Sequence, residues 1–420
     1  MAIVLKNAIL LHLDPVKVER GSLRIDGDVI TGVGATASSS AKGDDVLDCD
    51  SAVVLPGLVN GHTHLYSALA TGMPPPPRSP KNFHEILKFI WWRLDSALDE
   101  NSITASGFAG AVDALHSGTT TLIDHHASPN CIAGSLDMLE SAIQSVGLRS
   151  LLCYEVTDRN GLDGARAGIE ENRRYLKKCA ARGAHQFAAL AGAHAAFTMS
   201  DETLTAVSAL GKDFNRGVHI HVAEDPCDDQ ICRESFNAAL VDRLERTGIL
   251  QPETIIAHCI HLSPEQSRDL SSRIAAVAHN PRSNMNNKVG HAPLDALRNV
   301  QLGTDGIGSD MFAEARAAWF KARDARTEIT PNRIIEMLAQ SARTASRRFN
   351  CPLGKLQPGA AADIVVTDYR PSTPLTTENA ADHFIFAMSA RHVRHVMVAG
   401  RWLLKDRRAL HIDEEARRDA

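Results

Sequence analysis

His62 and His64 stand one residue apart at the end of the apolar run VVLPGLVNGHTH, residues 53–64. In a strand, residues i and i+2 point to the same face, so both imidazoles can aim together from one rigid element. Imidazole is a good donor for zinc and other divalent first-row metals. Further candidate donors follow downstream: His219, His221 and Glu224 in GVHIHVAE, His258 in TIIAHC, and Asp305 in NVQLGTD. Three histidines and one carboxylate would be sufficient for a catalytic metal that keeps a position open for water. The chain has 19 histidines, more than core packing needs, and their recurrence at the ends of apolar runs argues against coincidence.

Those runs number eight: 53–64, 119–126, 148–156, 187–194, 217–224, 254–259, 274–280 and 299–305, separated by helical stretches. Each carries a His, Asp or Glu at or near its C-terminal end. In a (β/α)8 barrel the active site is built at the C-terminal ends of the strands, so the pattern predicts a TIM barrel over residues 57–354. The rival doubly wound sheet would announce a Gly-rich first turn, and none follows the first run. Residues 1–56 and 355–420 read instead as short alternating strands, with turns at Asp26-Gly27 and Gly400, and are expected to pair into one small β-sandwich domain. The final DEEARRDA is charged enough to be a solvated tail.

Between the first two barrel strands lies TGMPPPPRSPKN, stiffened by four prolines. The segment after it repeats Phe83, Ile86, Leu87, Ile90, Trp91 and Leu94 at helical spacing. Adjacent positions do not share a helix face, so one of Trp91 and Trp92 is expected to be a pocket wall. Leaving the barrel just after His64, residues 66–95 are placed to cover its mouth.

Composition narrows the partners. At 44% hydrophobic and 23% charged residues the chain is globular, and a formal charge of -5 offers no footprint for nucleic acid. The N-terminal run is broken by Lys6, and no segment approaches 18 uninterrupted apolar residues, so neither a signal peptide nor a membrane partner is expected. Eight cysteines without a C-x-x-C framework suit a reducing compartment, and the expectation is a cytoplasmic homo-oligomer, a dimer or a tetramer.

NGHTH, HIHVAE, AHCIHLS, AHNPRSNM and LGTDG, in that order, resemble the motifs of the amidohydrolase superfamily in its aminohydrolase branch of deaminases and chlorohydrolases. QPGAAADIVV resembles that family's C-terminal sheet segment, so the likeness covers nearly the whole chain. DHHASP, CYEVTDR and DGIGSDMFAE look like the SsnA-type aminohydrolases. The resemblance implies that His62, His64, His221 and Asp305 bind one divalent metal, with zinc ahead of iron or manganese. It implies that Glu224 and His258 flank the attacking water and the substrate. His219 points to the same side as His221 but one layer deeper, as a supporting or core residue. Binuclear members carry a bridging lysine on strand four, and FAALAGAH has none, which favours a single metal. His194 resembles a substrate-contacting histidine, although Ala193 replaces that motif's proline. His125, Arg159 and Trp91 are the other candidate substrate-binding residues, and His126, Glu155, Arg282 and Asn284 also sit near strand ends.

The chemistry expected is hydrolysis of a carbon–nitrogen bond in a cyclic amidine. A metal lowers the pKa of its water from 15.7 toward about 7, and the resulting hydroxide attacks a ring carbon bearing an amino group. Glu224 would protonate a ring nitrogen, Asp305 shuttle the water proton, and His258 stabilise developing charge. The substrate would be a free purine, pterin, pyrimidine or triazine. Alternatives keep the metal but displace alkylamine or chloride or open a cyclic amide; glutamate favours the amine, because chloride needs no proton to depart. A non-catalytic scaffold barrel would be signalled by lost ligands, and none is lost.

Overall fold

The computed structural model describes residues 2–183 and 186–413. Residues 414–420, most of the tail expected to be solvated, lie outside the described residues.

Two ends of the chain share one sheet. Its nine strands run in the order Arg408–Ala409, Arg401–Lys405, Val393–Val398, Ile364–Thr367, Val53–Pro56, Ile3–Leu13, Val16–Asp26 and Val29–Gly34, with Asp45–Asp48 also pairing with Ile3–Leu13. Strand alternation divides the side chains between two cores. Leu5, Leu10, Val54, Ile364 and Val366 join Ile30 and Met397 in the sheet's own cluster. Ile9, Leu11, Val53, Leu55 and Val365 face the main core of the chain. Ile30 and Met397 come from strands far apart in the order yet share that cluster, and the Ile30 N–H donates to Ala360 O at 2.9 Å. The sheet therefore closes over its own core as a β-sandwich. A buried bidentate pair ties it to the rest: Arg149 Nε and Nη2 donate to Asp363 Oδ2 and Oδ1 at 2.8 and 3.2 Å.

The run 53–64, counted as one apolar stretch across the expected boundary between residues 56 and 57, is two strands. Val53–Pro56 belongs to the sandwich and Leu58–Thr63 to the barrel. The break falls at Gly57, where a Cβ would lie 2.2 Å from Thr120 Oγ1, so only glycine lets the chain cross between the two sheets here.

The other strands form a (β/α)8 barrel. Leu58–Thr63, Thr119–His126, Arg149–Tyr154 and Phe187–Ala189 pair in parallel in chain order. So do Ala191–Ala195, Val218–Val222, Ile255–His258, Ala276–His279 and Val300–Leu302. Phe187–Ala189 and Ala191–Ala195 are two halves of the fourth strand, broken at Leu190. A parallel bridge from Val156 to Ala193 joins the two groups on one side, and another from Thr63 to Asp305 joins the first strand to the eighth. That second seam is close: a Cβ on Gly61 would lie 2.6 Å from Leu302 O, and one on Gly303 2.7 Å from His62 Cβ. These glycines let the loop bearing Asp305 lie against the strand bearing His62 and His64.

Candidate metal centre and active-site cavity

The backbone bends sharply where the strands deliver these side chains. Ala223, His258, Cys259 and Asp305 all have φ between 50° and 75°, the left-handed region that non-glycine residues avoid. The cost, about 1–3 kcal/mol each, is offset by hydrogen bonds that fix the turns. The Cys259 N–H donates to Val222 O at 2.8 Å, and the Asp305 N–H to His62 O at 3.0 Å. Non-glycine strain gathered at the ends of the fifth, sixth and eighth strands marks the mouth as a built site.

There the donors converge. Ligand atoms of His62, His221, His258 and Asp305 lie within 4.8 Å of one another, all buried. His64 joins them, its Nε2 3.0 Å from Asp305 Oδ1 and 3.2 Å from His221 Nε2. Each imidazole is held by its other nitrogen. His64 Nδ1 donates to His125 O at 2.5 Å, and His221 Nδ1 to His194 O at 2.9 Å. His62 Nδ1 meets His219 Nε2 at 2.9 Å, which places His219 behind His62 rather than among the donors. This is how metal-ligating histidines are oriented. His62 Nε2 is buried with no hydrogen-bond partner, a costly arrangement that a cation would relieve.

Protonation fits as well. Burial drives the His62 pKa down to about 3 and that of His221 well below normal, leaving both neutral with free lone pairs, whereas at His64 the Asp305 carboxylate outweighs burial and raises the pKa to about 9, a proton that a bound cation would replace. Burial alone would raise Asp305, but the imidazoles of His62 and His64 beside it, at 3.6 and 3.0 Å, outweigh burial and hold the carboxylate well below its usual range. Three imidazoles and an ionised carboxylate suit a divalent cation such as zinc. The fourth strand supplies no lysine, consistent with its sequence.

Two groups flank this set. His258 Nδ1 donates to Asn284 Oδ1 at 2.9 Å, leaving Nε2 3.3 Å from Glu224 Oε2 and 3.8 Å from Asp305 Oδ2. Burial, with Asp305 adding to it, pushes the Glu224 carboxyl well above its usual range, which favours its protonated form. Asp305 Oδ2 accepts from Ser283 at 2.6 Å.

Above the donors lies a cavity lined by His64, His221, Glu224 and Asp305 below and by Tyr66, Phe83, Leu87, Trp91 and Trp92 from the segment after the first strand. Both tryptophans line it, where one was expected. The cause is a π-helical turn at Leu87–Trp91, which winds more residues into each turn and so brings neighbours closer to one face. His194 also lines the cavity; its Nδ1 donates at 2.7 Å to Thr198 Oγ1, whose own proton goes to Ala195 O.

Two candidate substrate-binding residues are placed elsewhere. His125 is fully buried beneath the donors, with Nε2 3.1 Å from His219 O and Nδ1 3.2 Å from Glu155 Oε2. Arg159 pairs with Asp95 and stacks over the Trp92 ring at 4.9 Å, bordering the neighbouring cleft. Both stand near strand ends, but a strand-end position does not say whether a side chain faces the cavity or supports one that does. His126 is taken up by Ser128 at 3.0 Å, and Arg282 by Glu314 and Gly308 O. Asp95, Asp228 and Asn287 line the cavity and escaped the sequence reading. Asp228 follows Glu224 by four residues across a helix start, a spacing that could have flagged it, whereas nothing local marks Asp95.

Comparison with known proteins agrees in its extent. The amidohydrolase family profile matches residues 53–403. The 5'-deoxyadenosine deaminase of Methanothermobacter thermautotrophicus is 28% identical, aligned over 94% of this chain and 91% of its own. A 5-methylthioadenosine/S-adenosylhomocysteine deaminase of Desulfitobacterium hafniense is 30% identical over 94% of this chain and 90% of its own. Among solved structures, a zinc-bound adenosine deaminase from Xanthomonas campestris superposes with a TM-score of 0.84 at 21% identity, covering 99% of this chain and 96% of that one. The zinc complex of an atrazine chlorohydrolase from Arthrobacter aurescens does so at 0.83 and 21%, covering 99% and 98%. At these identities the superpositions establish the shared fold.

Proposed function

The chain belongs to the amidohydrolase family, and from that premise we propose that it is a metal-dependent hydrolytic deaminase releasing ammonia from an N-heterocycle. The carrying observation is the convergence of buried imidazole and carboxylate donors beside the buried carboxyl of Glu224 in a cavity walled by tryptophan. Support also comes from the two relatives above, both named as deaminases of adenosine derivatives.

In this reading His62, His64, His221 and Asp305 would hold one divalent ion, zinc before iron or manganese, and such an ion would make a water nucleophilic at neutral pH. The water oxygen adds to the ring carbon bearing the amino group while one water proton passes to Asp305 Oδ2. Glu224 protonates the adjoining ring nitrogen, so charge does not accumulate there. His258, held by Asn284, steadies the new hydroxyl. As the carbon–nitrogen bond breaks, the proton on Asp305 moves to the departing amine and the hydroxyl proton returns to Glu224. The products are the ring carbonyl and ammonia.

The same reading divides the chain into a terminal β-sandwich, residues 1–56 and 355–420, and a catalytic barrel, residues 57–354. It places the protein in the cytoplasm as a homo-oligomer. All eight cysteines are free, which suits a reducing compartment. No helix among the described residues is long and apolar enough to cross a membrane. Phe320 and Phe386, 54% and 50% exposed with ring centroids 6.1 Å apart, form an apolar patch of the kind a second copy covers.

The test is ammonia release by zinc-loaded protein across purine bases and nucleosides, pterins, pyrimidines and aminotriazines. At least one should react with kcat/KM on the order of 10⁴ M⁻¹s⁻¹ or above. Chloride or alkylamine release with no ammonia from any ring would move the reading to the alternative chemistry. The wall gives a second expectation. Base–aromatic stacking is worth about 1–3 kcal/mol, so Trp91→Ala and Trp92→Ala should each lower kcat/KM about tenfold or more with metal content unchanged. Unchanged kinetics in both would remove the tryptophans from the substrate contact.

A further inference from the structure

Glu155 takes no part in the steps above, yet it stands at their centre. It follows the third barrel strand, where its N–H donates to His126 O at 2.7 Å, and it lines the cavity while only 4% exposed. Its carboxylate oxygen lies within 4.8 Å of ligand nitrogens of both His64 and His221. Anything that touches Glu155 from the cavity is therefore within a ring's width of the reacting carbon.

The surroundings fix its charge. His125 Nε2 lies 3.1 Å from the carbonyl oxygen of His219, and its Nδ1 stands 3.2 Å from Glu155 Oε2. Burial would raise the Glu155 pKa, but the imidazoles of His194 and His125 beside it outweigh burial and hold the carboxylate well below its usual range. Its other oxygen, Oε1, has His194 Nε2 3.6 Å away, beyond hydrogen-bond reach, and His194 has already given its Nδ1 proton to Thr198. One lone-pair edge of an ionised carboxylate is thus open toward the cavity. Glu224 stands on a separate flank, beside His258 at 3.3 Å.

Resting on the deaminase reading, we propose that Glu155 Oε1 accepts a hydrogen bond from the amino group that leaves, so that this carboxylate selects amine over anionic leaving groups. The amine gains a proton and positive character as its bond to carbon breaks, and a fixed negative charge beside it is worth more at that moment than in the ground state. Glu155 gives and takes no proton overall; it holds the nitrogen, and ammonia departs from beside it. For chloride the same carboxylate is repulsive throughout, which is how a site rejects a near-isosteric competitor. This separates the chain, on one residue, from the halide-displacing chemistry its fold also supports.

The test uses zinc-loaded full-length protein and matched pairs that differ only in the leaving group. These are adenosine with 6-chloropurine riboside, and melamine with 2-chloro-4,6-diamino-1,3,5-triazine. Ammonia and chloride are measured separately for wild type, Glu155→Gln and Glu155→Asp, with bound zinc assayed in each. Glu155→Gln should lower kcat/KM for ammonia release about 100-fold while chloride release holds or rises, with zinc unchanged. Glu155→Asp, which keeps the charge, should recover part of the preference. If ammonia and chloride release fall together, or zinc is lost from both variants, Glu155 is structural and the proposal is overturned. If wild type makes ammonia and Glu155→Gln leaves the amine-to-chloride ratio unmoved, the proposal alone fails. If wild type makes no ammonia from any ring, the deaminase reading fails and this assignment with it.

Discussion

Glu224→Gln is expected to lower kcat about 10²–10⁴-fold, the usual contribution of a positioned general acid, on whichever heterocycle releases ammonia. The amide preserves the shape of the side chain beside Asn287 and His258. It has no acidic proton to give the ring nitrogen. Glu224 is suited to that task because burial beside Asp305 favours its protonated form, where an exposed glutamate would be ionised. Substrate binding should change far less than turnover, and zinc content not at all. Near-wild-type kcat in this variant would remove Glu224 from the chemistry.

The second large effect concerns the metal. Wild-type protein should hold close to one divalent ion per chain, and His62→Ala should abolish tight binding, because it removes the donor whose Nε2 has no other partner. His219→Ala makes an informative companion. It leaves every donor in place but frees the His62 ring at Nδ1, and loss of such an outer partner typically weakens metal affinity about 10–100-fold. Elemental analysis after growth with zinc, iron and manganese gives the stoichiometry, and a chelator competition ranks the two variants. Two tightly held ions per chain in wild type, or none, would overturn the single-metal reading. His62→Ala protein that retains its ion would take His62 out of the donor set.

Much of this site was readable before any fold was known, for a definite reason. A barrel strand places its catalytic residues where an apolar run turns polar, and that transition is local. His62 and His64 could be assigned to one face because strand periodicity is two, and Asp305 drew attention because it ends a run. Periodicity also carried the terminal strands into a sheet, since alternation at Ile9, Leu10 and Leu11 distributes them between two cores. The apolar run is unbroken through residues 53–63, although the chain passes at Gly57 from one sheet to another, and periodicity alone does not record that passage.

The sequence by itself determined the element types, the polar strand ends and the kinds of donor available, because each depends on spacing within a few residues. The tertiary structure alone decided which strand-end residues face the cavity and which stand behind them. His125 and Glu155 both follow apolar stretches in the primary structure, yet His125 is buried beneath the donors and Glu155 lines the cavity. Asp95 and Asp228 enter the same cavity from a loop helix and a helix start. The side a residue presents at the barrel mouth depends on left-handed turns at Ala223, His258 and Asp305 and on the π-turn before Trp92. Those bends are held by hydrogen bonds and packing between segments up to hundreds of residues apart, as where Asp305 N–H meets His62 O, and no local pattern encodes them.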